Sequence, residues 1–207
     1  MTANGAAEST QTLTAKQREA ARTAPVNTHP AAVLVPIYRD PAGHLRVILI
    51  RRSPDGPHPG QIAFPGGKPE PGDEDLRATA LREAAEETGL DPARAVILAR
   101  LPPITTLSSR FRIQPFLAHV RPPTRWRPDR HEVDRIIDLD VSRLRREGLY
   151  CRRNIRPTHG QAEYNVPCFA LPEGPLWGAT YRILAPLVPA LADPGLRWPS
   201  IDRQPPL

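Results

Sequence analysis

Three glutamates on one arc of a predicted helix constrain this chain more than any other feature. Glu83, Glu86 and Glu87 stand at positions i, i+3 and i+4, and at about 100° per residue their side chains share one face. Carboxylates at this spacing repel each other by about 0.2–0.5 kcal/mol per pair. We therefore expect a cation between them, and oxygen-only ligands favour a hard divalent ion, Mg²⁺ or Mn²⁺.

The residues around these glutamates predict a helix with a marked start and a marked end. Asp73 is the expected N-cap, and Gly89 stands where a helix C-terminus favours glycine. A solvated helix face with ion pairs is the alternative interpretation of the glutamates alone. The Gly66-Gly67 turn, which follows the apolar run 61–64, favours the metal site because glycines let the backbone approach an ion or a phosphate closely.

The second half of this segment resembles a known signature. Residues 82–90 read Arg-Glu-Ala-Ala-Glu-Glu-Thr-Gly-Leu, which resembles the Nudix hydrolase pattern Arg-Glu-aliphatic-x-Glu-Glu-x-Gly-aliphatic without a mismatch. The spacing from Gly67 to Arg82 is one residue longer than in the general family pattern, so the early acidic position falls on Asp73 or Glu74. The resemblance implies an α/β fold, the Nudix-type α/β/α sandwich with a central mixed sheet.

The longer loop and the segment before it resemble one Nudix subgroup, the coenzyme A pyrophosphatase-like proteins. Residues 58–67 read His-Pro-Gly-Gln-Ile-Ala-Phe-Pro-Gly-Gly, which is similar to that subgroup's His-x-Gly-Gln-aliphatic-x-Phe-Pro-Gly-Gly run. Gly56 stands where the subgroup usually carries an arginine. The likeness covers most of residues 31–192 and implies a substrate related to coenzyme A.

The resemblance also implies roles for the residues of the signature. Glu83 and Glu87 are expected to hold the metal, with Glu86 and the Gly66 carbonyl completing or sharing the coordination. A water activated by the metal is then expected to attack one phosphorus in line. Arg82 is expected to orient a glutamate through a bidentate ion pair, and a surface ion pair is its alternative role.

Further candidates complete the expected site. The general base is either one of the signature glutamates, with Glu86 the catalytic candidate, or Glu132 on the loop before a predicted strand. A structural role at an exposed strand edge is the alternative for Glu132. Arg51, His58 and Gly67 are the expected substrate contacts; a solvated surface is the alternative for Arg51, and a loop-bracing hydrogen bond is the alternative for His58.

These features predict a metal-dependent hydrolase that splits a nucleoside diphosphate linked to another moiety. Coenzyme A or an acyl derivative is the leading substrate, and ADP-ribose, a dinucleotide or a nucleoside triphosphate are the alternatives. A hypothesis of another class is a Nudix-like nucleotide-binding regulator without turnover. The intact glutamate set argues against it, because a site without turnover has no physical reason to keep three carboxylates that repel each other.

The composition favours small anionic ligands over nucleic acid. The 207 residues carry a formal net charge of +6, but aromatic residues are only 5% and the arginines are scattered. No stacking motif or recognition helix appears, so a basic surface suits small polyanions better than nucleic acid. No apolar run reaches the roughly 20 residues that a membrane span needs. A homodimer is compatible with the sequence.

The cysteines and the N-terminus point to the cytoplasm. Cys151 and Cys168 lack metal-ligand spacing and are expected to be reduced thiols, and nothing in the sequence supports a disulfide between them. The N-terminus is polar and lacks the apolar segment of a secretory signal. We expect a flexible N-terminal arm at residues 1–28, a hydrolase domain at 29–195 and a C-terminal tail at 196–207.

Apolar patterning predicts a mixed α/β order of elements. Strands are expected at residues 31–38, 45–51, 95–101, 112–120 and 133–139. The first two should form a hairpin across a turn at residues 40–43. A short helix is expected at 141–146, a strand with a loop around His159 at 156–171, and a helix at 176–192 that Pro186 kinks or shortens. Phe64 and Trp177 are expected in the core.

Overall fold

The structure is a computed structural model that describes residues 28–106, 110–145, 149–156, 163–191, 193 and 195–197. The expected N-terminal arm lies outside the described residues except for Thr28. Most of the expected C-terminal tail and the expected loop around His159 also lie outside them.

Eleven strands and three α-helices make up the described residues. The strands are β1 (His29–Arg39), β2 (Leu45–Arg52), β3 (Ile62–Ala63), β4 (Gly66–Gly67), β5 (Ala95–Arg100), β6 (Ile104–Thr105), β7 (Phe111–Val120), β8 (Val133–Asp140), β9 (Tyr150–Ile155), β10 (Tyr164–Leu171) and β11 (Gly174–Leu176). The helices are α1 (Leu76–Thr88), α2 (Gly178–Leu184) and α3 (Val188–Leu191), with 3-10 helices at Pro92–Arg94 and Val141–Arg145. None of the helices in the described residues is long and apolar enough to cross a lipid bilayer.

The main sheet is mixed, as expected. Its strands run in the order β3-β2-β1-β7-β5. In addition, β4 pairs with β1, β6 pairs with β7, and β8 pairs with β2. β1 and β7 are parallel, and the other pairs are antiparallel. The predicted hairpin of β1 and β2 is confirmed. β1 is central and covered on both faces, which explains its nearly continuous apolar sequence.

Helices cover both faces of this sheet, so the sandwich is confirmed. Leu34 on β1 packs with Ala80 and Ala84 of α1 on one face. The next residue, Val35, points to the opposite face because side chains alternate along a strand, and there it joins a cluster that includes Leu184 of α2. The small alanines of α1 let the helix lie close to the sheet, which brings its glutamates against β4.

A second sheet of order β11-β10-β9 follows the main one and was not predicted. Residues 156–171 were expected as one strand region, but Arg156 lies outside the strands and β9 ends at Ile155. β9 is polar and mostly exposed at the sheet edge, so it carries little apolar pattern. The expected helix at 176–192 is two short helices, because residues 176 and 177 precede α2 and Pro186 lies between α2 and α3.

Cys151 and Cys168 face each other across this second sheet. They are register partners of the antiparallel pair β9 and β10, and their Sγ atoms are 2.9 Å apart. Both thiols are free. Cys168 is buried, and burial together with the neighbouring Cys151 raises the pKa of its thiol to about 11. The less buried Cys151 is therefore the thiol that meets a reagent first.

We expect one equivalent of an aromatic disulfide reagent to cross-link the two cysteines. The Cys151 thiolate displaces one aromatic thiol, and Cys168 then displaces the second by attacking the Cys151 sulfur. Mass spectrometry should find the chain lighter by two hydrogens with no reagent attached. A Cys168→Ser variant should instead retain the reagent on Cys151, and a stable mixed disulfide on the wild-type protein would contradict this register.

Candidate functional site

Helix α1 carries the site, and its start differs from the prediction. The N-cap is Asp75 and not Asp73; the Asp75 side chain accepts a hydrogen bond from the Ala78 N–H at 2.8 Å. Gly89 ends the helix in the left-handed conformation, as expected. Because Asp75 caps the helix, the Asp73 carboxylate is available for another partner.

That partner is Arg82, which ties the loop after β4 to the helix. Its Nε and Nη2 atoms donate to both Asp73 oxygens at 3.0 and 3.1 Å, and Nη2 also donates to the Lys68 carbonyl at 3.0 Å. Glu83 and Glu86 each receive a single hydrogen bond from Arg82. The expected bidentate pair is thus made with Asp73, and Arg82 holds the pKa of that carboxyl at about 2.

Glu87 is the most deeply buried acid of the site. Only 2% of its surface is exposed, and its Oε2 accepts a hydrogen bond from the Gly66 N–H at 2.8 Å. Burial raises the pKa of Glu87 to about 8, against the opposing effects of the Gly66 amide and the Arg52 charge. Glu83 and Glu132 raise this pKa further. Glu87 therefore sits in a place where one more positive charge would stabilise its ionised form.

The two glycines of β4 hold the backbone against this helix. Gly66 and Gly67 pair with Val33 and Ala32 of β1. A Cβ on Gly66 would collide with the Ala32 carbonyl, and its φ of 153° is one that side chains rarely adopt. A Cβ on Gly67 would collide with the Glu83 carboxylate. Glycine at both positions is what lets the β4 backbone touch the acids.

Glu83, Glu87 and Glu132 form a group that we call the acidic cluster. Burial raises the pKa of Glu83, and the charge of Glu132 raises the pKa of both helix glutamates. Glu132 lies just before β8, and its carbonyl accepts a hydrogen bond from the N–H of buried Ser53 at 2.8 Å. Glu86 differs, because its side chain is 57% exposed and pairs with Arg82.

The two helix glutamates of this cluster, Glu83 and Glu87, fit a hard divalent cation as oxygen donors. Within the described ranges, no three acidic, histidine or cysteine side chains already converge as a finished metal site does. Partly buried Glu83 and buried Glu87 nevertheless both have a raised pKa, and glycine at positions 66 and 67 lets the backbone come close to them. A cation would offset the repulsion between these two carboxylates, and oxygen donors select Mg²⁺-like ions.

The expected substrate contacts lie in different places. Gly67 adjoins Glu83. Arg51 forms an ion pair with Asp134, with 3.7 Å between Nε and Oδ2. His58 belongs to the loop between β2 and β3 and has a φ of 61°. The structure thus brings Gly67 into the site, and it places Arg51 and His58 beside the neighbouring loop.

Arg52, the neighbour of the expected contact Arg51, is the arginine whose charge acts on Glu87. Arg51 instead pairs with Asp134. The register of β2 against β8 shifts between the two arginines, so simple strand alternation does not decide which of them reaches the acids. The Arg52 Nε donates to the Pro57 carbonyl at 3.0 Å, which braces the loop. The pattern alone does not say which of two adjacent arginines faces the acids.

The two aromatic residues that were expected in the core differ in burial. Phe64 is buried, with 3% of its surface exposed, as expected. Trp177 was expected in the core, but it is only partly buried and lines a cavity with a volume of about 240 Å³. It directly precedes α2 as the N-cap residue, so its position is set by the start of that helix.

Two substitutions in this site should change stability in opposite directions. Burial raises the pKa of Glu87 to about 8, so the wild type bears the cost of burying or protonating this carboxyl, and that cost is full above pH 8. Glu87→Gln removes the cost and keeps an oxygen for the Gly66 N–H, so its free energy of unfolding in EDTA above pH 8 should exceed that of the wild type. Gly66→Ala should lower it by at least about 2 kcal/mol through collision and backbone strain. Urea unfolding measures both, and a strongly destabilised Glu87→Gln protein would contradict the burial cost inferred for Glu87.

Comparison with known proteins shows the family of this chain. The NUDIX domain family matches residues 28–148. The chain is 33% identical over 164 residues to the uncharacterized Nudix hydrolase NudL of Pectobacterium atrosepticum, which covers 79% of this chain and 83% of that protein. It is 33% identical over 129 residues to the uncharacterized Nudix hydrolase NudL of Salmonella paratyphi B, and this match spans 60% of the chain and 64% of that relative.

A solved structure supports the fold. The MutT/nudix family protein from Enterococcus faecalis matches with a TM-score of 0.52 at 19% identity, over 78% of this chain and 62% of that one. The matched NUDIX segment contains α1, both glycines of β4 and Glu132. Since that segment is more than half of the 207 residues, the chain belongs to the Nudix family and is a Nudix hydrolase.

Proposed function

We propose that this hydrolase cleaves the diphosphate bond of coenzyme A or an acyl derivative, with Mg²⁺ or Mn²⁺ as cofactor. The observation that carries the reaction type is the buried Glu87 carboxylate, held by the Gly66 amide beside Glu83. The substrate choice is supported by the resemblance of residues 58–67 to the coenzyme A pyrophosphatase-like subgroup. The products would be adenosine 3′,5′-bisphosphate and a phosphopantetheine.

The residues divide the work of binding and activation. Glu83 and Glu87 would hold the cation, with Glu86 and the Gly66 carbonyl as further donors. When bound, the cation neutralises phosphate oxygens and lowers the pKa of a water. Arg82 positions the helix acids by fixing Asp73 and the Lys68 carbonyl.

Glu132 is the general base in this proposal. It is exposed and precedes β8, and its charge acts on both Glu83 and Glu87. A carboxylate in that place can accept the proton of a water that attacks phosphorus. Its backbone is fixed through Ser53 at the end of β2, so the loop that carries it does not need to be ordered by the substrate.

The loop that resembles the subgroup is physically tied to the acids. Arg52 donates from its backbone N–H to the Gln61 carbonyl and from Nε to the Pro57 carbonyl, each at 3.0 Å. The same side chain acts electrostatically on Glu87. A substrate group held by this loop therefore lies near the proposed diphosphate position, which is the geometry that a substrate-selecting loop needs.

We also propose residues 29–195 as the hydrolase domain. β1 begins at His29, and the last helix, α3, ends at Leu191 and belongs to the same apolar cluster as β2. The segment after residue 148 thus completes the core of the family-matched part.

A panel assay should decide the substrate. With Mg²⁺ or Mn²⁺, coenzyme A and acetyl coenzyme A should yield adenosine 3′,5′-bisphosphate faster than ADP-ribose, dinucleotides or nucleoside triphosphates yield products, as measured by chromatography. Glu87→Gln should lower turnover by about two to three orders of magnitude. Asp193→Asn, an exposed carboxylate near the C-terminal helix, is the control and should keep wild-type turnover. Binding without turnover across the panel would support the regulator instead.

The base assignment has its own test. Glu132→Gln should lower kcat by about 10²–10⁴-fold, because the amide cannot accept a proton. KM for the best substrate and the affinity for Mn²⁺ should stay close to wild type, as measured by steady-state kinetics and by electron paramagnetic resonance of free Mn²⁺. An unchanged kcat would remove Glu132 from the mechanism and leave the helix glutamates as the bases to test.

A further inference from the structure

A cavity of about 240 Å³ lies where two parts of the chain meet. One wall is the loop with His58 and Gln61, inside the family-matched residues 28–148. The other wall carries Arg156 and Trp177, beyond that match. We call it the junction cavity. The second wall therefore lies outside the family-matched residues.

The two walls are fixed to one another. The Thr180 hydroxyl of α2 donates to the Ile62 carbonyl of β3 at 3.2 Å, and Thr180 is buried. Thr180 lies three residues after Trp177, and Ile62 directly follows Gln61. The indole and the loop therefore hold a set spacing, and the cavity does not depend on a ligand to form.

The side chains of the junction cavity match one kind of ligand. Trp177 offers a partly buried indole for stacking with a planar ring. Arg156 offers a guanidinium that suits a phosphate. His58 adopts a left-handed backbone conformation that is rare for a residue with a side chain, and such outliers cluster at ligand sites. An aromatic ring that carries a phosphate fits this combination.

The junction cavity lies within reach of the acidic cluster. Gln61 and Gly66 are five residues apart, so at most about 17 Å of backbone separates the cavity rim from the amide that holds Glu87. Arg52 contacts the same loop at Pro57 and Gln61 and acts on Glu87. One nucleotide can therefore occupy the cavity while its diphosphate faces the acids.

We propose that the junction cavity binds the nucleoside monophosphate end of the substrate, with the base on Trp177 and a non-reacting phosphate at Arg156. This inference rests on the proposed function, because it assigns the adenosine 3′-phosphate of coenzyme A to Arg156. A substrate without that phosphate loses the Arg156 contact. The cavity thereby selects among diphosphates that the acidic cluster alone treats alike.

Glu163 modulates this site. Arg156 Nη2 donates to Glu163 Oε1 at 3.0 Å, and both side chains are more than half exposed. An incoming phosphate competes with this carboxylate for the guanidinium. Removing the Glu163 charge should therefore have the opposite effect to removing the Arg156 charge.

Calorimetric titration of the full chain with adenosine 3′,5′-bisphosphate in EDTA tests the phosphate contact without turnover. Arg156→Ala should weaken binding by about 10-fold or more, Arg156→Lys should weaken it less, and Glu163→Gln should tighten it severalfold. Arg152→Ala is the matched control: Arg152 lies on β9, bonds to Asn165 and does not line the cavity. Equal affinities for Arg156→Ala and Arg152→Ala would overturn the assignment.

The stacking contact between the adenine ring and Trp177 needs a second pair of variants. Trp177→Leu should weaken binding of adenosine 3′,5′-bisphosphate by about 5-fold or more, while Trp177→Phe should retain most of the affinity because it keeps a ring face. Thermal unfolding followed by circular dichroism checks that both variants fold. Equal affinities for the two folded variants would exclude stacking.

The outcomes separate this inference from the proposed function. Charge-dependent binding of the bisphosphate without hydrolysis of any diphosphate would uphold the junction cavity and refute the hydrolytic reaction. Hydrolysis of coenzyme A with the same KM in the wild type and in Arg156→Ala would uphold the reaction and refute the cavity.

Discussion

The hydrogen bond from the Gly66 amide to buried Glu87 is the contact on which the rest of the site depends. This hydrogen bond requires glycine in β4, because a Cβ on Gly66 would collide with the backbone of β1. It also requires a helix that packs closely, which Ala80 and Ala84 allow. The sheet, the helix and the glycine turn thus place one carboxylate where its charge is costly. A bound cation would offset this cost, so the site is suited to a cation.

Arg82 explains how a longer loop is accommodated without disturbing that contact. The residue added between Gly67 and Arg82 lies in a loop that Arg82 holds at two points, the Asp73 carboxylate and the Lys68 carbonyl. Asp73 also accepts a hydrogen bond from the Glu70 N–H, which closes the turn. The loop therefore ends at the same place on the helix. Of the two candidates for the early acidic position, the structure brings Asp73 to Arg82 and leaves Glu74 exposed.

Sequence reasoning succeeds here where one local rule decides the outcome. Apolar runs gave β1, β2, β7 and β8 within two residues, and the helix glutamates followed from spacing. It failed where tertiary contacts choose between equivalent residues. Asp73 and Asp75 are both acceptable caps, and the pull of Arg82 on Asp73 leaves Asp75 for the helix. β9 was not predicted, because an exposed polar edge strand lacks the alternating apolar pattern by which strands are recognised.

The same distinction explains why the part to which we assign substrate selection is the hardest to see in a sequence. The signature glutamates lie on one helix, so their spacing is local and visible. The junction cavity joins His58 to Arg156 and Trp177, about a hundred residues later. No periodicity links these positions; the packing of α2 and β11 against β3 brings the two walls together. Reaction chemistry can therefore be inherited as a motif, whereas the specificity that we propose for this chain would arise from how a C-terminal segment packs against that motif.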